Sequence, residues 1–334
     1  MHVRRVRPLA MLCAGAMLLV TAACGSSSGG GASGSSGASK PLTRLRIMAP
    51  ADPGGGWDST SREAQKALEG SNTVRKVEVF NVPGAGGTIG LAQLANNATD
   101  DQLLMTMGLV MVGAVVTNKS KTTLADVTPI AKLTSEQEII VVPADSPYQT
   151  LQDFVDAWKA NTSKLPIAGG SAGGTDQILA GLMAQAVGAD PKKVNYVAFS
   201  GGGEALASLL GGKVAAGISG VSEFKDQIDA GKLRGLAVSG EQKVAGLDVP
   251  TLKEGNVDVS LTNWRGMVAP KGISKSQQAA LVKVVEDMHG SAEWKAALKK
   301  NGWTDDFLIG QDFADYLRAE ETRATTVLQQ IGLA

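Results

Sequence analysis

Four times along this chain a short apolar run breaks into a cluster of glycines and resumes as a helical pattern. The clusters are Asp52-Pro53-Gly54-Gly55-Gly56-Trp57-Asp58, Pro83-Gly84-Ala85-Gly86-Gly87-Thr88, Gly169-Gly170-Ser171-Ala172-Gly173-Gly174-Thr175-Asp176 and Ser200-Gly201-Gly202-Gly203. A fold with repeated strand–glycine–helix junctions is α/β, with helices covering mostly parallel sheets. Glycine lets backbone N–H groups approach a ligand with no side chain in the way. At a helix start those N–H groups are unpaired, and the helix dipole favours an anion. Four such ends on one cleft would form a carboxylate or phosphate site, with Ser171, Thr175 and Ser200 adding hydroxyl donors. Against this stands the plainer reading that each glycine cluster only serves a tight turn.

The runs between the clusters extend the same alternation. Leu45–Pro50, Lys76–Val82, Leu103–Gly108, Ile139–Pro143, Pro166–Gly169, Tyr196–Phe199, Ala215–Ser219 and Leu233–Ser239 read as strands. Leu151, Phe154, Val155 and Trp158 recur at helical spacing, as do Ile178, Leu179, Leu182, Met183 and Ala186. Ser274 and Gln277 form a capping box ahead of Leu281, Val284, Val285 and Met288. A final helix carries Phe313, Tyr316, Leu317, Ala324, Val327, Leu328 and Ile331. No fixed internal period is present, which excludes a solenoid.

Much ordinary chemistry is excluded. Lys and Arg balance Asp and Glu at 32 each, and there are only 14 aromatic residues, so neither a basic nucleic-acid footprint nor a base-stacking platform is indicated. No G-x-x-x-x-G-K-[ST] occurs, and a G-x-G-x-x-G beginning at Gly84 fails at Ile89. The two cysteines are Cys13 and Cys24, and the two histidines are His2 and His289. A Ser-His-Asp triad would depend on His289, read as an exposed last-turn residue, and no G-x-S-x-G surrounds a serine. No cofactor is implied. Only carboxylates remain as metal or acid–base candidates, with Asp58 and Asp176 nearest the glycine loops; helix N-capping is the competing role for both.

The N-terminus reads as an address. Arg4, Arg5 and Arg7 precede an uncharged apolar run from Leu9 to Ala23, short for a membrane span and the right length for a secretory signal. The run ends Val20-Thr21-Ala22-Ala23-Cys24, which resembles the lipobox of bacterial lipoproteins and implies lipidation of Cys24. Residues 25–39 are only Gly, Ser and Ala, a flexible tether with a reach on the order of 20 Å. Loss of residues 1–23 would leave a body of net charge −3, so an anion would have to be held by local dipoles rather than by the overall field.

The loops also resemble those of the solute receptors of tripartite tricarboxylate transporters, the TctC-like or Bug receptors. The resemblance rests on Pro50–Arg62, Asn81–Gly90, Val141–Pro147, Gly169–Asp176, Phe199–Glu204, Leu209–Lys213, Gly231–Val238 and Trp264–Pro270, in the family's order over nearly the whole body. Two places depart from the family's pattern: Ser200 stands where a lysine is common, and Thr99-Asp100-Asp101-Gln102 replaces a Pro-Asp-Gly-Tyr-like turn. The resemblance implies a two-lobed, periplasmic-binding-protein-like (type II) fold. Lobe one would comprise 40–142 plus 264–334, and lobe two 143–263.

It further implies a lipid-anchored extracytoplasmic receptor, not an enzyme. Such a receptor closes on a small organic polycarboxylate, citrate or a dicarboxylate, and delivers it to membrane transporter subunits. The ligand-binding residues expected are Gly54, Gly55, Gly56, Trp57, Asp58, Gly86, Gly87, Thr88, Ser171, Ala172, Gly173, Gly174, Thr175, Asp176, Phe199, Ser200, Gly201, Gly202, Ser219 and Arg265. Arg265 is the cation expected near the cleft mouth, with a surface salt bridge as its alternative. An enzyme using Asp58 or Asp176 on a carboxylate, and a sensor subunit for a signalling partner, are the competing functions.

Overall fold

Glycine clusters and apolar runs alternate in the computed structural model as they do in the chain. It describes residues 42–170 and 172–334; the signal, Cys24, the tether and Ser171 lie outside the described residues. The first half of the body runs β1 (Leu45–Ala49), α1 (Gly56–Gly70), β2 (Val77–Asn81), α2 (Thr88–Asn96), β3 (Leu103–Gly108) and α3 (Leu109–Thr117). A 17-residue strand, β4 (Val127–Pro143), follows. Then come α4 (Leu151–Ala160), β5 (Ile167–Gly170), α5 (Thr175–Ala186), β6 (Tyr196–Phe199), α6 (Gly202–Leu210), β7 (Ala216–Gly220), α7 (Val221–Asp229) and β8 (Leu233–Val238). The chain closes with β9 (Thr262–Pro270), α8 (Lys275–Gly290), α9 (Ala292–Asn301), β10 (Thr304–Ile309) and α10 (Gly310–Gln330).

The strands join in the order β2-β1-β3-β9-β4-β7-β5-β6, with β8 and β10 also pairing with β4. Strand β4 is the seam. Its first part, through Gln137, pairs with β9 and β10, and from Glu138 onward it pairs with β7 and β8. The result is a two-lobed, periplasmic-binding-protein-like α/β fold. The expectation of mostly parallel sheets needs correction. Pairs β1–β2, β1–β3, β5–β6 and β5–β7 are parallel, but every pairing made by β4 and β9 is antiparallel.

Packing follows the apolar spacing. On α4, Leu151, Phe154, Val155 and Trp158 are buried, and the Trp158 and Phe154 rings stack at 5.9 Å. Helix α8 begins at the Ser274–Gln277 capping box and buries Leu281, Val285 and Met288. His289 sits in the last turn of that helix but is not the exposed residue expected. Its ring stacks on Phe307 at 3.8 Å, and Nε2 lies 2.8 Å from Asp305. The aromatic surface of Phe307 outcompetes water for the imidazole face. Among the described residues no helix is long and apolar enough to cross a membrane.

Candidate functional site

In each lobe the parallel strands end facing the same gap, and the helices that follow start there. Ligands in open α/β sheets sit at the carboxyl ends of the strands for this reason. A cavity of about 190 Å³ occupies the gap. All four glycine-rich junctions line it, and so do Val110 at the start of α3 and Glu223 in the first turn of α7. Six helices (α1, α2, α3, α5, α6 and α7) therefore direct their N-terminal ends toward one space. Unpaired N–H groups and aligned dipoles make that space favourable to an anion.

Close approach explains two of the glycines. A Cβ on Gly56 would lie 2.6 Å from Nη2 of Arg265. Gly87 has φ +87°, and a Cβ there would meet the Trp57 ring at 2.7 Å. The first lets a guanidinium lie flat against the start of α1. The second lets the indole seal the cavity floor.

Arg265 reaches the cavity from β9 and is only 3% exposed. Its Nη2 donates to Glu136 Oε2 at 2.6 Å, and its Cζ lies 5.4 Å from the Trp303 ring centroid. Its Nη1 has no hydrogen-bond partner among the described residues. The pair is thus a buried one, not the surface salt bridge considered as the alternative. Glu136 is held from the other lobe as well, accepting from the Ser222 N–H at the start of α7 at 2.6 Å.

Three further carboxyl groups surround this pair. Asp176 Oδ2 accepts from the Gly170 N–H at 2.6 Å, and Glu223 shares a short hydrogen bond with Ser219 Oγ. Glu138 is 0% exposed, and neither of its oxygens has a partner among the described residues. Burial pushes Asp176 up to about 8, and the charges of Glu223 and Glu136 add to this against the Gly170 hydrogen bond. Burial also raises Glu223, aided by Glu136 and opposed by Ser219, Arg265 and the Gly56 backbone. Glu138 is raised well above the usual range, by burial first and then by Asp176, Glu136 and Glu223. Burial likewise raises Tyr196, whose hydroxyl donates to the Gly170 carbonyl at 2.5 Å.

The family model described as the tripartite tricarboxylate transporter family receptor matches residues 61–333. The chain belongs to that family. It is a family of solute-binding receptors, not of enzymes. The receptor is 27% identical over 307 residues to the UPF0065 protein in the gbd 5′ region of Cupriavidus necator, covering 88% of this chain and 89% of that one. Among solved structures it resembles MatC of Rhodopseudomonas palustris with bound malate, at 23% identity and TM-score 0.75, covering 86% and 99% of the two chains. It also resembles R. palustris Rpa4515 with adipate, at 21% identity and TM-score 0.79, covering 87% and 98%.

Of the residues singled out in the receptor's sequence, Gly55, Gly56, Trp57, Gly86, Gly87, Ala172, Asp176, Phe199, Ser200, Gly201, Gly202, Ser219 and Arg265 line the cavity. Six others are not among its lining residues. The Gly54 N–H donates to Asp58 Oδ2 at 2.9 Å. Asp58 also accepts from Arg62 Nε at 2.9 Å and Asn81 Nδ2 at 2.8 Å. Burial pushes its carboxyl up, but the combined bonds from Arg62, Gly54 and Asn81 outweigh this and hold it below the ordinary value. Thr88 donates to the Ala85 carbonyl, Gly173 donates to Gln177, and Gly174 is the N-cap of α5. Thr175 is fully buried beneath the loop.

Neither Asp58 nor Asp176 is an N-cap. Each lies in its helix's first turn and reaches back to a loop amide. Glu223, Asn263 and Val110 also line the cavity and were not expected. The signal for Glu223 is present in Gly217-Ile-Ser219-Gly220-Val-Ser-Glu223. This is a strand–glycine–helix junction with one glycine at the turn instead of a cluster.

Proposed function

We propose that this receptor captures a small organic carboxylate outside the cytoplasm and delivers it to the membrane subunits of its transporter. The observation that carries the reading is the convergence of four glycine-rich helix starts and the buried Arg265 on one small cavity. The ligand's carboxylate would accept from loop amides and from Arg265 Nη1, which has no partner among the described residues. Malate in MatC and adipate in Rpa4515 support a carboxylate as the cargo class. Polycarboxylates, citrate and the dicarboxylates among them, are the candidates to try first.

Gly55, Gly56, Gly86, Gly87, Ala172, Ser200, Gly201 and Gly202 would supply backbone contacts, with Ser171 and Arg265 as side-chain donors and Ser219 Oγ as an acceptor. Lobes formed by 40–142 plus 264–334 and by 143–263 would close over the ligand. A lipid on Cys24 would hold the receptor at the outer face of the membrane.

A thermal-shift screen of the purified protein tests the assignment. Di-, tri- and monocarboxylates, amino acids and sugars are compared at equal concentration. A ligand bound only by the folded state stabilises it by RT ln(1 + [L]/Kd), about 2.7 kcal/mol at a hundredfold excess over Kd. Carboxylates are expected to raise Tm by several degrees and sugars to leave it unchanged. A shift by sugars alone would show the cargo class to be wrong.

A further inference from the structure

The cavity wall has a charge pattern that the carboxylate reading does not by itself explain. Arg265 is its only cation among the described lining residues, and Glu136 already neutralises that charge at 2.6 Å. Three acids, Asp52, Asp176 and Glu223, line the same space, and Glu138 lies behind the last two with both oxygens unpartnered among the described residues. An ionised carboxylate taken from water and set against them faces like charge. Arg265 Nη1, buried and without a partner among the described residues, is the one cationic donor left for an anionic group; a second would rest on loop amides alone, and Asp176 and Glu223 already occupy those of Gly170 and Gly56.

We infer that Asp176 and Glu223 are specificity-determining residues that restrict the receptor to ligands with one ionised carboxylate, whose far end carries a hydrogen-bonding proton. A hydroxyl meets this requirement in any protonation state of the wall, since it both donates and accepts. A second carboxyl group meets it only when a proton from solvent accompanies it, residing on the ligand or on one of the two acids. The groups that set this proton's affinity are Asp52 in the loop before α1, Glu136 and Glu138 on β4, Asp176 on α5, Tyr196 on β6, Glu223 on α7 and Arg265 on β9. Burial and mutual repulsion raise Asp176, Glu223 and Glu138 together, in keeping with a wall that holds protons near neutral pH. The inference rests on the carboxylate reading and narrows it against fully ionised polycarboxylates, citrate included.

Calorimetric titration of the full protein with butyrate, 4-hydroxybutyrate and succinate tests it, because the three share a chain and differ at the far end. At about pH 8.5 the 4-hydroxy acid is expected to bind at least about tenfold more tightly than succinate. Toward about pH 6 the gap should close, with succinate binding taking up protons, seen as an enthalpy that depends on the buffer's ionisation enthalpy. In an Asp176→Asn/Glu223→Gln variant, both amides can still accept the local hydrogen bonds, and succinate binding should lose its pH dependence. Succinate binding as tightly as 4-hydroxybutyrate at both pH values, with no proton uptake, would overturn the inference and leave the carboxylate reading standing. If none of the three acids nor citrate bound, both would fall together.

Discussion

Arg265 carries two duties that mutation can separate. Its guanidinium satisfies Glu136 at 2.6 Å, and its second amino group, buried beside the cavity, has no partner among the described residues. Removing one member of a buried pair strands the other, at a typical cost of about 3–5 kcal/mol. Arg265→Ala should lower unfolding stability by that order in a denaturant titration and abolish carboxylate binding. An Arg265→Met/Glu136→Met double variant removes both charges, so most of the stability should return while binding does not. Recovery of both would mean that Arg265 acts on the ligand only through the fold.

Asp176 makes a different prediction, through pH. An unfolded aspartate titrates near 3.9, whereas this one is raised to about 8. Between those values the folded state binds the extra proton, so its contribution to stability is full below about 4 and is lost as pH rises through about 8. Asp176→Asn cannot ionise and can still accept from the Gly170 N–H. Its Tm should exceed that of the parent by several degrees near pH 9 and converge with it toward pH 5. A gap that is constant with pH would show that Asp176 stays ionised throughout.

Local patterns were readable at the level of the element where one element answers to one rule. The capping box at Ser274 and the stripe on α4 depend on spacing within a few residues, and both stand as read. Helix α4 has a second such box in Thr150 and Asp153, where Thr150 Oγ1 accepts from the Asp153 N–H at 3.2 Å. Thr150→Ala should cost about 1 kcal/mol in unfolding and leave ligand affinity unchanged, since the cap is remote from the cavity. A loss of affinity with it would tie α4 to closure.

Strands β9 and β10 and the first part of β4 were not legible, for a physical reason. Val127-Thr-Pro-Ile-Ala-Lys-Leu-Thr-Ser-Glu-Gln137 mixes charge and hydroxyls into a buried strand, because Lys132 and Glu136 are satisfied by partners distant in sequence. Lys132 pairs with Asp306, and Glu136 with Arg265. Periodicity sees the polarity and cannot see the partner. For the same reason the glycine side of the cavity and Asp176 within it could be read from the chain, whereas Glu136, Glu138 and Glu223 could not.

At the scale of the whole molecule, the two lobes meet where β4 changes partners and where the chain returns from β8 to β9. Ser239 joins these two strands of traffic. Its N–H donates to the Glu138 carbonyl at 2.9 Å, and its carbonyl accepts from the Leu261 N–H at 2.9 Å. Its hydroxyl accepts from the Glu138 N–H at 2.9 Å and donates to the Leu261 carbonyl at 2.6 Å. Closure of two lobes around a ligand turns on a few such residues at element ends. Ser239→Ala keeps the backbone bonds and removes the hydroxyl, leaving a buried N–H and a buried carbonyl each short of a bond, at about 1–3 kcal/mol.

The Ser239→Ala variant should unfold at lower denaturant. It should also bind carboxylate more weakly, although Ser239 is absent from the cavity lining. The weakening should appear as faster ligand dissociation in stopped-flow measurements, because a looser hinge reopens more readily while the capture surface is unchanged. Lower stability with unaltered dissociation would instead assign Ser239 to the fold alone and move the hinge to the β4–β9 pairing, where register shifts between Pro129 and Ala131 and between Lys132 and Thr134 offer the next points of bending.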